Sequence, residues 1–249
     1  MKAGKRLIDL GNPVEEGLKW SMIPGYPRLM PNFSHGTAGV AYFLATLYQA
    51  TRKKPFLDAA LKGAAYLESI TRKTENGCLI FHHEPGGEDL FYLGWCHGPP
   101  GTARLFYRLH AITGNSTWLD RMKRSAEAIL NSGIPEKKTP GFWNNAGMCC
   151  GSAGVAEFFL DMHRITSDRR YLAFARRMTR HILAAATPSE KGLKWIQAEH
   201  RVKPDFLQAQ TGYMQGAAGI GLWLLRFHAF LKGAAMDFHL PDAPGVQRK

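Results

Sequence analysis

The sequence predicts an all-α protein of the α/α toroid or solenoid class, and three observations carry that expectation. Gly-x-x-Gly occurs four times, at Gly36/Gly39, Gly98/Gly101, Gly151/Gly154 and Gly216/Gly219. After the first three, a threonine follows the leading glycine by 15 residues, at Thr51, Thr113 and Thr166. An aromatic-Leu pair begins five residues after each threonine, as Phe56-Leu57, Trp118-Leu119 and Tyr171-Leu172. Self-similarity of this kind marks stacked units that bury one another's apolar faces.

Within each unit the order is loop, inner helix, outer helix. The glycine motif opens a run with little polar character, such as Val40-Ala41-Tyr42-Phe43-Leu44-Ala45 or Val155-Ala156-Glu157-Phe158-Phe159-Leu160, which predicts a helix covered on most sides. The aromatic-Leu pair opens a segment apolar on one face at helical spacing, through Leu57, Ala60, Leu61, Ala64 and Leu67, or Tyr171, Ala175, Met178 and Ile182. These are the outer helices, wet on the other face. The segments between an outer helix and the next glycine motif are rich in Gly, Pro and aromatics and read as loops. Two of them share Gly-Leu-Lys-Trp, at Gly17 to Trp20 and Gly192 to Trp195. Residues 1–249 read as a single repeat domain of about four hairpins.

Composition narrows the function classes. With 45% apolar residues in 249, the chain can bury a large core. The net charge of +12 raises the question of nucleic acid or another acidic partner. However, basic residues such as Arg169, Arg170, Arg176 and Arg177 are spaced as a solvated helix face, and no nucleic-acid module is present, so no nucleic-acid partner is expected. No apolar run is long enough for a membrane span, and Met1 to Arg6 leads into no signal core. A cytoplasmic protein is the expectation. Four cysteines, two of them adjacent, make a poor disulfide framework and point to metal or catalysis in a reducing compartment. Neither GxGxxG nor a P-loop occurs, so no nucleotide or redox cofactor is expected.

The chemistry sits in one slot of the repeat. The residue before the leading glycine is His35, then His97 (after Cys96), then Cys150 (after Cys149), then Gln215. If equivalent helix ends converge, these side chains meet although more than 100 residues separate them in sequence. Thiolate and imidazole are the ligands zinc prefers, and three protein ligands with one open position mark a catalytic zinc site. Cys96, Cys149 and Cys150 are therefore the expected metal ligands. His35 fits an acid/base role and a hydrogen-bonded cap equally on spacing alone. Cys78, away from the glycine motifs, reads as a buried spectator, and His82 and His83, beside a Pro-Gly-Gly turn, read as loop residues.

The strings Ser34-His35-Gly36-Thr37-Ala38-Gly39, Trp95-Cys96-His97-Gly98-Pro99-Pro100-Gly101, Cys149-Cys150-Gly151-Ser152-Ala153-Gly154 and Gly212-Tyr213-Met214-Gln215-Gly216-Ala217-Ala218-Gly219 resemble the lanthionine synthetase C-like (LanC-like) proteins, as does the ending Leu240-Pro241-Asp242. The resemblance runs through essentially the whole chain. It implies a toroid of seven hairpins, a Zn²⁺ ion on Cys96, Cys149 and Cys150, and addition of cysteine thiols to dehydroalanine or dehydrobutyrine in a dehydrated precursor peptide, giving thioether rings. A dehydratase is the partner enzyme it implies. His35 becomes the acid/base group, and His97 protonates the enolate or orients the substrate.

Three departures from the family pattern stand out. Cys150 occupies the position of the usual histidine ligand, as in some members. Tyr92 stands four residues before the first zinc cysteine, where cyclases often carry an arginine. Four repeats are legible against seven, which predicts an incomplete ring with repeats, and a family aspartate, missing ahead of Met1. Two other functions remain open beside the cyclase: a non-catalytic zinc-containing peptide-binding or assembly module, or a truncated inactive relative, and addition of a separate thiol such as glutathione. An α/α-barrel glycosidase would need a carboxylate pair, and Glu157 and Asp161, on the inner helix, read as structural.

Overall fold

The three repeated threonines each terminate a fifteen-residue helix. The computed structural model describes residues 1–23 and 25–234, so Leu240-Pro241-Asp242 lies outside the described residues. Eight helices form among them: α1 (Lys2–Asp9), α2 (Thr37–Thr51), α3 (Lys54–Ser69), α4 (Pro99–Thr113), α5 (Ser116–Leu130), α6 (Ser152–Thr166), α7 (Arg169–Ala184) and α8 (Ala217–Leu231). The hydroxyls of Thr51, Thr113 and Thr166 donate to the carbonyls of Leu47, Leu109 and Met162, each at 2.7 Å, and accept the N–H two residues on, from Lys53, Asn115 and Asp168. The residue between them is left-handed, φ 58° at Arg52, 70° at Gly114 and 61° at Ser167, and so stops the helix. Asn115 and Asp168 then cap the outer helices by accepting from Thr117 and Arg170, while Pro55 serves the first turn of α3.

The glycine motifs are explained by close approach. A Cβ at Gly39, Gly154 or Gly219 would lie 2.1, 2.1 or 1.8 Å from the carbonyl oxygen of Phe33, Met148 or Tyr213, in each case six residues back. Only glycine lets the loop fold so tightly over the start of its own helix. That fold supplies the inner helices with caps, none of which comes from a side chain. Ala38 donates to Pro31 O, Ser152 to Asn145 O, Ala153 to Ala146 O, Ala217 to Gln210 O and Ala218 to Thr211 O, always seven residues back. In α4 the same positions are Pro99 and Pro100, which have no N–H to satisfy.

Two compact units result. The first comprises Met1–Tyr92 and Cys96–Asn131, with α2 packed on α3 and α4, α4 on α5, and α1 on α2 and α3. Leu44, Phe56, Leu67, Leu105, Phe106, Leu109, Met122 and Ile129 are its buried core. The second comprises, among the described residues, Leu93–Trp95 and 132–234, with α6 packed on α7 and α8. Its core includes Phe158, Phe159, Tyr171, Met178, Ile182, Ile220 and Trp223. Of the arginines spaced as a solvated face, Arg169, Arg170 and Arg176 are exposed on α7, while Arg177 is half-buried and pairs with Glu136. No described helix is long and apolar enough to cross a membrane.

The all-helical expectation holds for the scaffold, but the segments read as loops contain short antiparallel strands. β1 (Asn12–Val14) pairs with β2 (Gly17–Lys19), β3 (Arg72–Thr74) with β4 (Gly77–Leu79), and β5 (Ala186–Ser189), β6 (Gly192–Ala198) and β7 (Leu207–Ala209) form a three-stranded sheet in that order. Gly17–Lys19 of the first Gly-Leu-Lys-Trp string and the whole of the second are therefore strand. Each tryptophan donates its Nε1–H to a helix carbonyl thirteen residues back, Trp20 to Leu7 at 2.7 Å and Trp195 to Ile182 at 2.8 Å. By that equivalence α1 stands to β1–β2 as the outer helix α7 stands to β5–β6.

Candidate metal centre and histidine cluster

In the second unit, the loop ahead of α6 is built around Asn145, which is 3% exposed. Its amide donates to Ala198 O at 3.0 Å and its Oδ1 accepts from Gly147 N at 2.9 Å. Gln197, on β6, accepts from Ala146 N at 2.6 Å and donates to Gln215 O. Trp143 adds a bond from its indole to Ala198 O. Held this way, Cys149 donates its N–H to Met214 O at 2.8 Å, and Cys150 is buried. Their Sγ atoms are 3.4 Å apart.

The short segment Leu93–Trp95 belongs to the same unit. Leu93 donates to Gly141 O at 3.1 Å, and Gly94 lies so close to the Cys150 backbone that a Cβ there would be 2.7 Å from its Cα. Cys96 follows Trp95 directly. The sulfurs of Cys96, Cys149 and Cys150 all lie within 4.8 Å of one another, a group that can hold a metal ion. Three ligands at the Zn–S length of about 2.3 Å would stand roughly 3.8 Å apart on a tetrahedron, so both the donor set and its spacing fit a soft divalent cation. Cys78 stands apart from this group, on β4, 2% exposed, its sulfur 3.5 Å from Ser125 Oγ.

In the first unit, Ser34 N donates to Cys96 O at 2.9 Å, joining the loop of His35 to the start of α4. Asn32 secures the same loop, with its amide on Phe81 O at 2.7 Å and its carbonyl accepting from Thr102 Oγ1 at 3.0 Å. His35 Nδ1 then lies 3.0 Å from His97 Nε2, the rings near parallel at 5.0 Å between centroids. His35 is exposed, and Ser34 Oγ is 3.0 Å from its Nδ1. His97 is 5% exposed and its Nδ1 has no hydrogen-bond partner. Burial first, then the neighbouring His82, His35 and His83, push its pKa down to about 2, so the ring stays neutral.

A scan against protein families matches residues 5–232 to the lanthionine synthetase C-like proteins. The chain belongs to that family. Among curated proteins, this LanC-like chain is 32% identical over 78 residues to the zebrafish (Danio rerio) protein named glutathione S-transferase LANCL1, a stretch covering 31% of this chain and 18% of that protein. Among solved structures it resembles nisin cyclase, with a TM-score of 0.61 at 16% identity over 92% of this chain and 56% of that one. It also resembles an alpha-1,6-mannanase of Salegentibacter, with a TM-score of 0.55 at 16% identity over 76% of this chain and 57% of that one. The LanC-like chain thus spans just over half the length of these two structures and less of the curated relative. The fold class is the α/α toroid.

The sequence-predicted residues of the LanC-like chain fall into two sets. Cys96, Cys149 and Cys150 form the thiol group, and His35 and His97 form a hydrogen-bonded pair beginning one residue after Cys96. Of the carboxylates on α6, Glu157 forms a buried ion pair with Arg226, and Asp161 is 4.0 Å from Arg164. His82 and His83, read from the sequence as loop residues, do lie in a loop, but that loop brings His82 into the site. Its ring is 4.1 Å from that of His97 and 4.3 Å from that of Tyr92. Tyr92, at the position where cyclases often carry arginine, approaches His97 edge-on at 5.7 Å. The sequence signal for His82 was the doubled histidine itself. Asn32, Asn145 and Gln197 left none.

Proposed function

We propose that the chain is a zinc-dependent, lanthionine cyclase-like enzyme that adds cysteine thiols of a dehydrated precursor peptide to its dehydroalanine or dehydrobutyrine residues. The observation that carries it is the thiol group of Cys96, Cys149 and Cys150 continuing directly into the His35–His97 pair. Zinc on the three cysteines would lower the pKa of a substrate thiol, so that the nucleophile is a thiolate at neutral pH. Membership of the family and the fold shared with nisin cyclase support a peptide substrate.

The reaction balances without oxidant or reductant. Sulfur bonds to the β-carbon, the π pair of the C=C bond moves to the α-carbon and its carbonyl as an enolate, and the α-carbon takes up the proton that the thiol gave up. In this mechanism exposed His35 exchanges protons with water and delivers one to the enolate, while His97, neutral and buried, fixes the orientation of His35 through the 3.0 Å bond. No charged group is required of Tyr92. The reading includes a dehydratase upstream, which supplies the dehydroamino acids, and a reducing cytoplasmic setting that keeps the three thiols reduced.

Incubation with a dehydrated, cysteine-containing peptide, with and without chelator, tests the proposal by counting free thiols. Zinc-dependent loss of thiol is expected; equal loss in both arms overturns it. A second reading, addition of a separate thiol, is favoured by the name of the zebrafish relative. Glutathione offered with a cysteine-free dehydrated peptide separates the two, since only that reading forms an adduct. Stoichiometric zinc and peptide binding without thiol loss in either assay would leave the non-catalytic module.

A further inference from the structure

His97 is held by more than its bond to His35. The His35 ring is inclined 24° to it at 5.0 Å, the His82 ring 36° at 4.1 Å, and Tyr92 meets it edge-on. Imidazole has one soft torsion past the β-carbon, and contacts of this kind on a buried ring leave it little room to turn.

The loop that brings His82 there is tied down unusually well for a surface segment. His82 N donates to Leu90 O at 2.7 Å, and Glu84 exchanges backbone bonds with Leu29 at 2.8 and 2.9 Å. The Glu84 carboxylate accepts from Lys19 Nζ and Tyr66 Oη, both at 2.9 Å. Burial, aided by Glu84, raises the Tyr66 pKa far above its ordinary value, so that phenol remains a donor. His83, 7% exposed, packs on Gly87 and places its Nδ1 2.8 Å from His82 Nδ1. Asn32 binds the carbonyl of Phe81 at the base of the loop, linking it to the loop of His35. The result is a ledge that ends at the His82 ring.

We propose that His82 is a positioning residue: it fixes the plane of His97, and through it His35, so that the enolate receives its proton on one side and a single configuration results at the α-carbon. The proposal rests on the cyclase reading for its substrate, a dehydroamino acid within a peptide. It depends on the ring of His82 rather than on its basicity, which separates His82→Phe from His82→Ala.

With a dehydroalanine peptide and zinc-loaded protein, the parent should give one configuration at the α-carbon. His82→Ala should give both, with kcat lowered about tenfold, less than the roughly 100-fold expected for outright loss of a positioned acid/base group, and KM within about twofold. His82→Phe should restore the single configuration. A His82→Ala product of one configuration formed at the parental kcat would overturn the proposal. A second arm needs no turnover: ¹⁵N resonances of His97 in the zinc-loaded protein should report one tautomer in the parent and in His82→Phe, and a mixture in His82→Ala. An unchanged His97 tautomer in His82→Ala overturns the proposal whatever the activity. No addition by the parent, with the tautomer shift present, overturns the cyclase reading alone.

Discussion

The Nδ1 of His35 lies 3.0 Å from the Nε2 of His97, so one of these nitrogens carries a proton and the other a lone pair. His97 is the buried member of the pair and His35 the exposed one, open to exchange with water. Replacing His35 by Ala should slow thiol addition by roughly 100-fold or more, within the range for loss of a positioned acid/base group. Zinc content should stay unchanged. Thiol counting beside metal analysis checks both; a parental rate in His35→Ala would remove it from the mechanism.

Single substitution of Cys96, Cys149 or Cys150 by Ala leaves two thiols, and each variant should lose most of its zinc and its chelator-sensitive activity. Cys150→His should keep the metal. Three thiolates make zinc a weaker Lewis acid and its bound thiolate a better nucleophile, so the histidine variant should turn over more slowly on several dehydrated peptides. A rate equal to or above the parent would show that the third thiolate confers no such advantage.

Arg226 and Glu157 form an ion pair with side chains 6% and 4% exposed. Glu157→Leu should destabilise the second unit by about 3–5 kcal/mol, because it strands a guanidinium, whereas joint replacement with Arg226→Met should recover most of the loss. Denaturant midpoints of the two single variants and the double variant decide it. Additive losses would mean that the two charges do not depend on one another.

Two glycines with opposite surroundings make a matched test. At Gly154 a Cβ would sit 2.1 Å from Met148 O, while at Gly221, within α8, it meets nothing within 4 Å. Gly154→Ala should cost about 1–3 kcal/mol by overpacking. Gly221→Ala should raise stability by about 0.5–1 kcal/mol by improving the helix. Thermal unfolding of both variants checks the pair, and a neutral Gly154→Ala would show that its loop yields readily.

What the sequence revealed follows from the reach of its patterns. Gly36, Gly151 and Gly216 announced their inner helices because a steric requirement recurs at each, and the threonines marked helix ends because one hydroxyl makes the same two bonds every time. The slot before each leading glycine located His35, His97 and Cys150 for the same reason. Strands of three residues, such as Gly77–Leu79, are too short to show alternation, so the hairpins were hidden among Gly and Pro. His82 reaches His97 through an irregular turn that Leu29 and Asn32 fix through Glu84 and Phe81; both lie about fifty residues back, where no local spacing connects them to it.

Pro99 and Pro100 have a consequence for what the start of α4 can bind. A helix start usually offers bare amides to an anion, but α4 has none to spare. Its first two residues have no N–H, and those of Gly101 and Thr102 are directed at Gly98 O, at 3.2 and 3.1 Å. The first turn of α4 therefore keeps its remaining N–H groups for its own carbonyl and offers none of them to a ligand bound beside it.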